Sequence, residues 1–153
     1  MSTRAIQWLK QKKVPFEIVK YEHRQKGAEF AAQAVGFPLA QTIKTLVTTL
    51  ADHRYVLVLM PGNQQLSMKK LAGALGVKKA ELADTATAER LTGYLVGGIS
   101  PFGTRKSMPS IVEAGLQEYP EVMINAGQRG CMLKMVPADI IQTLNARVAD
   151  LAV

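Results

Sequence analysis

Three short runs hold the residues whose types and spacing could do chemistry. The first is Thr42-Ile43-Lys44-Thr45-Leu46-Val47, where one lysine interrupts a strand-like sequence. By alternation its side chain points to solvent. Alternatively it stands on a cleft wall, where weaker screening strengthens the pull of an ammonium group on an ester carbonyl or phosphate. The second run is Gly97-Gly98-Ile99-Ser100-Pro101-Phe102-Gly103. Its three glycines, with a serine and a proline, permit unusual dihedrals and close approach of backbone to a ligand. Successive amides there could hold an anion or a developing oxyanion, or the run could be a purely structural turn. The third is Asn125-Ala126-Gly127-Gln128-Arg129-Gly130, a glycine turn with an amide before it and a guanidinium within it. Its plainer reading is a hairpin turn that carries a solvated arginine.

Other catalytic equipment is scarce. The histidines are His23 and His53, and the chain has neither a His-Glu-x-x-His sequence nor paired cysteines, so no metal site is expected. No Gly-x-Ser-x-Gly elbow or Walker sequence is present, which argues against a serine hydrolase or a P-loop enzyme. Cys131 opens the apolar run Met132-Leu133-Lys134-Met135-Val136 and reads as a packing cysteine, because a reactive thiolate needs an electropositive, accessible pocket. Catalysis would have to come from backbone groups, lysines or the substrate itself.

The elements that must position these runs are readable by periodicity. Residues 3–12 suit an opening helix with Ile6 and Leu9 on one face, and Pro15 stops it before an alternating strand over 16–21. Residues 28–35 are Ala-rich and helical, closed by Gly36 and Pro38. Two strands follow over 42–50 and 55–60, with Asp52-His53-Arg54 as a hairpin loop. Ser67 caps a helix through Leu75 that stops at Gly76, and 86–91 form a short helix ending near Gly93. A short strand from Tyr94 opens into the glycine-rich loop. Residues 110–113 fit either a capping box or a short strand. Strands over 122–125 and 132–136 pair around the Ala126–Gly130 turn, and 139–151 form a closing helix. This irregular interleaving predicts an α+β fold.

The chain has 153 residues, 48% of them hydrophobic, which fits one domain over residues 1–153 with a core that needs no staples. No repeat, linker or shift in composition suggests a boundary. The longest strongly apolar run, residues 55–60, is far short of the roughly 20 that a membrane helix needs. No apolar leader opens the chain, and Cys131 is the only cysteine, so a reducing cytoplasmic setting is expected. A net charge of +7 suits a polyanionic partner such as RNA and equally a solvated surface. Interleaved aromatic and basic residues are lacking, so any RNA contact is expected by shape and charge at an acceptor end.

Together and in this order, several segments resemble the YbaK/EbsC family, small free-standing relatives of the editing domain inserted in bacterial prolyl-tRNA synthetases. They are Tyr21-Glu22-His23, Ile43-Lys44-Thr45-Leu46, the 65–76 segment from Gln65 to Gly76, the run from Thr92 to Gly103, and Gly127-Gln128-Arg129-Gly130. The likeness spans essentially the whole chain and is nearest to the YbaK-type Cys-tRNA(Pro) deacylases. It implies a compact α+β fold with a curved mixed sheet flanked by helices. It also implies hydrolysis of a mischarged aminoacyl-tRNA ester, with no metal or organic cofactor. A site that must accept proline cannot strongly reject cysteine by size, so a second site clears the error. The implied partners are the acceptor end of mischarged tRNA(Pro) and prolyl-tRNA synthetase, with no membrane.

The family lysine matches Lys44, and the family glycine loop matches Gly97, Gly98, Ile99, Ser100 and Pro101. The resemblance implies that Lys44 and the amides around Gly98 hold the ester, while Tyr21 lines the pocket. Asn125, Gly127 and Arg129 then border it or meet the terminal adenosine. In the family mechanism the cysteinyl thiol of the substrate attacks its own ester carbonyl, so the protein needs only to orient and to stabilise. One departure bears on specificity. Where this chain has Asn125-Ala126-Gly127, the YbaK type often has serine followed by two glycines. Asparagine there resembles other branches, including deacylases for alanine on tRNA(Pro). A deacylase for alanine or another small residue is therefore the runner-up, beside a non-catalytic tRNA- or synthetase-binding module and a small-molecule binding protein.

Overall fold

The computed structural model describes residues 2–22 and 28–153. Helix α1 (Arg4–Gln11) starts where the Thr3 hydroxyl accepts the Ile6 amide, and it buries Ala5, Ile6 and Leu9. Strand β1 (Glu17–Lys20) and helix α2 (Ala28–Val35) follow, and then the hairpin of β2 (Ile43–Leu50) and β3 (Tyr55–Pro61). Helix α3 (Met68–Leu75) runs from the Ser67 cap to Gly76, whose φ of 68° suits glycine. Strand β4 (Ala80–Leu82) leads to α4 (Thr85–Thr92), capped by the Asp84 carboxylate and ended by Gly93. After a long loop come β5 (Ser110–Glu113), β6 (Val122–Gln128), β7 (Cys131–Met135), α5 (Pro137–Leu144) and β8 (Arg147–Ala149).

Two sheets form, the expected α+β arrangement. A five-stranded mixed sheet has the order β4-β2-β3-β5-β8, with parallel pairing only among β3, β5 and β8. A three-stranded antiparallel sheet has the order β1-β7-β6, and a single parallel bridge from Thr42 to Met123 joins the two. Period-two alternation sorts the side chains. Leu57 and Leu59 of β3 face the core between the sheets with Ile124 and Leu133, whereas Val56, Val58 and Met60 face α3. Met123 and Met132 turn outward to meet Ala31 of α2. Glu113 is a buried carboxylate at 6% exposure, satisfied by the amides of Gly115, Leu151 and Ala152 at 2.7, 2.8 and 3.3 Å.

Three expectations change, and one open alternative is settled. The run from Tyr94 forms no strand, because both polar groups of the Val96 peptide are taken by side chains rather than by a neighbouring strand. Residues 110–113 are a strand, held in register between β3 and β8. The closing helix ends at Leu144, where Asn145 adopts φ 50°, and the chain returns as β8. The turn between β6 and β7 is shorter than expected, since β6 runs to Gln128 through a bulge after Asn125. His23 lies outside the described residues.

Candidate active site

The Lys44 run sits on an incompletely paired edge. The bonds Leu50 N–H to Arg54 O and Gly62 N–H to Thr42 O turn the even-numbered backbone groups of β2 toward β3. The amide and carbonyl of Thr45 therefore face the opposite edge, which β4 covers only from Thr48 onward. Beside that edge lies a cavity of about 370 Å³ lined mainly by apolar side chains. Its walls come from Tyr21, from Ala28 and Ala31 of α2, from the 43–47 stretch of β2 and from Leu82, Ala83, Thr85 and Ala88. Val96, Gly97, Ile99, Asn125 and Met132 complete it. Lys44 is the one charged residue among them, and burial lowers its pKa from the ordinary lysine value. The hydroxyl Oγ1 of Thr45 is buried there without a hydrogen-bond partner among the described residues.

The glycine loop forms another wall, and its shape is set by side chains from elsewhere. Glu89 on α4 accepts the Val96 amide at 2.8 Å, while Arg129 Nε and Nη2 donate to the Val96 carbonyl at 2.9 and 2.5 Å. Asn125 Nδ2 donates to the Gly97 carbonyl at 3.2 Å, and its Oδ1 accepts the amides of Gly127 and Gln128 at 2.8 and 3.1 Å. The Tyr94 hydroxyl closes the loop by donating to the Phe102 carbonyl, and burial pushes its pKa up to about 12. Gly98 packs face-on against the β6–β7 turn: a Cβ there would stand 3.0 Å from Arg129 N and 3.1 Å from Gln128 C. At Gly127, with φ +95°, a Cβ would lie 2.7 Å from the Tyr94 ring.

Five of the ten site residues expected from sequence thus share the cavity: Tyr21, Lys44, Gly97, Ile99 and Asn125. The other five stand elsewhere. Gly98 is buried and its amide is donated to Leu95 O at 2.8 Å, whereas the amides of Gly97 and Ile99 have no partner among the described residues. Ser100 is fully buried, and its hydroxyl accepts the Phe102 amide. Pro101 lines a second cavity on the far side of the loop. Gly127 and Arg129 stand behind the loop, with two guanidinium nitrogens of Arg129 committed to Val96. Cys131 faces the core between the sheets, and burial raises its thiol pKa, as suits packing rather than attack.

Sequence reasoning missed Thr45, Thr85 and Glu89. Thr45 could have been read as part of the unpaired edge had the short β4 been recognised; Glu89 shows its role only through a contact made after folding. Among the described residues, no three His, Cys, Asp or Glu side chains gather as metal ligands would, and no helix is long and apolar enough to cross a membrane.

An apolar cavity with one partly dehydrated ammonium and a wall of loop amides suits an uncharged acyl group whose carbonyl gains charge during reaction. Comparison with known proteins agrees with that class. The family described as aminoacyl-tRNA editing domain matches residues 23–143. The chain is 34% identical over 151 residues to the Enterococcus faecalis protein named "Putative Cys-tRNA(Pro)/Cys-tRNA(Cys) deacylase EbsC", covering 97% of this chain and 92% of that one. It is 29% identical to "Multifunctional Ser/Thr-tRNA deacylase ProXp-y" of Escherichia coli, over 91% of this chain and 85% of the relative. A crystal structure described as "a putative trans-editing enzyme for prolyl tRNA synthetase" superposes with a TM-score of 0.89 at 27% identity, covering 98% of this chain and 95% of that one. The chain belongs to the aminoacyl-tRNA editing domain family. It is an aminoacyl-tRNA deacylase of that family, with tRNA in its substrate.

Proposed function

We propose that this deacylase clears cysteine from tRNA(Pro) in the cytoplasm, acting in trans beside prolyl-tRNA synthetase, with residues 1–153 as one catalytic domain. The observation that carries this reading is the composition of the cavity wall. It offers an ammonium at Lys44 and unpartnered amides at Gly97 and Ile99, and no Cys, His, Ser, Asp or Glu among the described residues that line it. Such a wall stabilises an oxyanion but has no evident nucleophile–base pair, which suits a substrate that brings its own thiol. The likeness to a relative named for Cys-tRNA deacylation supports the same choice.

In this mechanism the ester carbonyl points toward Lys44 and the two loop amides. Thr45 Oγ1 accepts a hydrogen bond from the α-amino group. The substrate sulfur attacks the carbonyl carbon, the bond to the ribose oxygen breaks, and the thiol proton ends on that oxygen. Free tRNA and a cyclic thiolactone result, and water opens the thiolactone to cysteine. Tyr21 borders the entrance, and Asn125 holds the loop in place.

A second reading, clearance of alanine, serine or another small residue, draws on Asn125 and on the relative named for Ser/Thr-tRNA. A panel of tRNA(Pro) charged with Cys, Ala, Ser and Pro, assayed with and without the synthetase, decides between them. Rapid clearance of the cysteinyl ester with little action on the seryl ester is expected. Equal rates on the two esters would exclude the thiolactone route.

A further inference from the structure

Much of the net charge of the chain is carried by two segments that the catalytic cavity does not use. Residues 3–13 and 101–108 carry Arg4, Lys10, Lys12, Lys13, Arg105 and Lys106, six of the nineteen basic residues and none of the twelve acidic ones. The rest of the chain is close to neutral. The two segments meet in space: a Cβ at Gly103 would lie 3.1 Å from Arg4 O and 3.2 Å from Trp8 Cβ. Between them opens a second cavity of about 380 Å³, with Arg4, Gln7, Gln11, Thr104 and Ser107 among its walls and no carboxylate.

At its edge two guanidinium groups converge. A Cβ at Gly93 would meet Arg4 Nη1 at 2.8 Å and Arg105 Nε at 3.7 Å, so both cations lie over the same glycine. Neither has a carboxylate partner among the described residues. Like charges held this close disfavour one another unless an anion joins them. The neighbouring aromatic ring is already occupied. Trp8 stacks on Phe102 with ring centroids 5.8 Å apart, and the Lys12 ammonium lies 5.2 Å above its ring. A nucleobase therefore finds no open stacking platform there, whereas a phosphate finds donors.

We infer that the face built by α1 and the 101–108 segment binds backbone phosphates of the tRNA acceptor strand, with Arg4 and Arg105 as the central pair. The inference rests on the deacylase reading and adds to it a site outside the cavity. The same loop walls both: Gly97 and Ile99 line the first cavity, and Pro101, Gly103 and Thr104 line the second. Ile99 and Thr104 are at most about 18 Å apart along the chain, a span that a few nucleotides cover. Phosphate contacts position RNA without reading its sequence, so this face supplies affinity and not tRNA selectivity.

The test is binding of uncharged tRNA(Pro) and an unrelated tRNA, by fluorescence anisotropy over a salt series, to the wild type and to Arg4→Gln/Arg105→Gln. The double variant is expected to bind both tRNAs on the order of tenfold more weakly, with the slope of log K against log salt reduced by about 1.5. Its circular dichroism and its hydrolysis of a short aminoacyl-nucleotide ester should match the wild type, which separates lost docking from lost folding. Unchanged tRNA affinity and salt slope would overturn the inference. So would intact tRNA binding combined with lost binding to prolyl-tRNA synthetase, which would make this a protein-docking face. Failure of the deacylase reading shows separately, as absence of ester hydrolysis by the wild type.

Discussion

The two sides of the loop over residues 94–103 are made of opposite materials. On one side an apolar cavity carries a single charge among its described residues, at Lys44, which is partly stripped of water. On the other, exposed Arg4 lines a polar cavity that has no acid among its described residues, and exposed Arg105 stands beside it. A buried charge acts strongly over short distances and suits a small displacement of electrons. A solvated array acts weakly per charge but over a wider area, and suits capture of a long polyanion. Under the proposed function and the inferred phosphate face, one side does chemistry and the other supplies affinity, and each role can be broken separately.

The largest expected effect is on the chemical side. Lys44→Ala should lower single-turnover deacylation by on the order of 10²-fold while leaving tRNA affinity nearly unchanged; equal loss of both would erase the division. Lys44→Met carries a further consequence. Burial lowers the folded-state pKa of Lys44 below its unfolded value, so the protonated lysine disfavours the fold at neutral pH. That cost is relieved as pH rises through the folded pKa and then the unfolded one. Removal of the charge should therefore raise the melting temperature at pH 7, and the gain should vanish in strongly alkaline buffer.

Gly98→Ala tests the wall that the two sides share. The atoms it would strike, Arg129 N and Gln128 C, are backbone and cannot swing away. The loop must shift, and both deacylation and tRNA binding should fall together, with a stability loss of about 1–3 kcal/mol. A further test is the alkaline limb of the rate profile, which should fall at a lower pH than an ordinary lysine would give, and should disappear in Lys44→Ala. The smallest effect is the most discriminating. Lys44→Ala combined with Arg4→Gln/Arg105→Gln should show additive losses in kcat/KM within about 0.5 kcal/mol, as sites without shared partners do. Strong coupling would mean that the loop transmits between its faces.

Much of this division was legible in the sequence. Two strand-like runs around a polar loop placed β2 and β3, and caps at Ser67 and Gly76 fixed α3, because these signals are local in sequence. The lysine and the glycine run stood out by type. Which glycine faces the cavity could not be read, since that depends on the Leu95 carbonyl taking the Gly98 amide and on the Asn125 and Arg129 contacts across the fold. Tyr94 to Val96 looked like a strand for the same reason: its apolar residues fit one, and only Glu89 and Arg129 reveal how its backbone is satisfied. Strand β8 was hidden because Asn145, a residue tolerated inside a helix, here adopts a left-handed conformation. The basic face was visible as charge but not as a face, because its two segments are nearly a hundred residues apart in sequence.

The Glu113 carboxylate gives the chain a timetable. Its Oε1 waits for the amides of Leu151 and Ala152, and β5 waits for β8 beside it. During synthesis from the N-terminus, the loop and both cavities are complete in sequence before this carboxylate has its final partners. Until residues 147–152 fold back, this carboxylate at the end of β5 lacks two of its three amide partners and keeps water in their place. Locking of the larger sheet is therefore a late event in the life of the nascent chain, and free chains truncated after residue 146 should be more open to protease than the full chain.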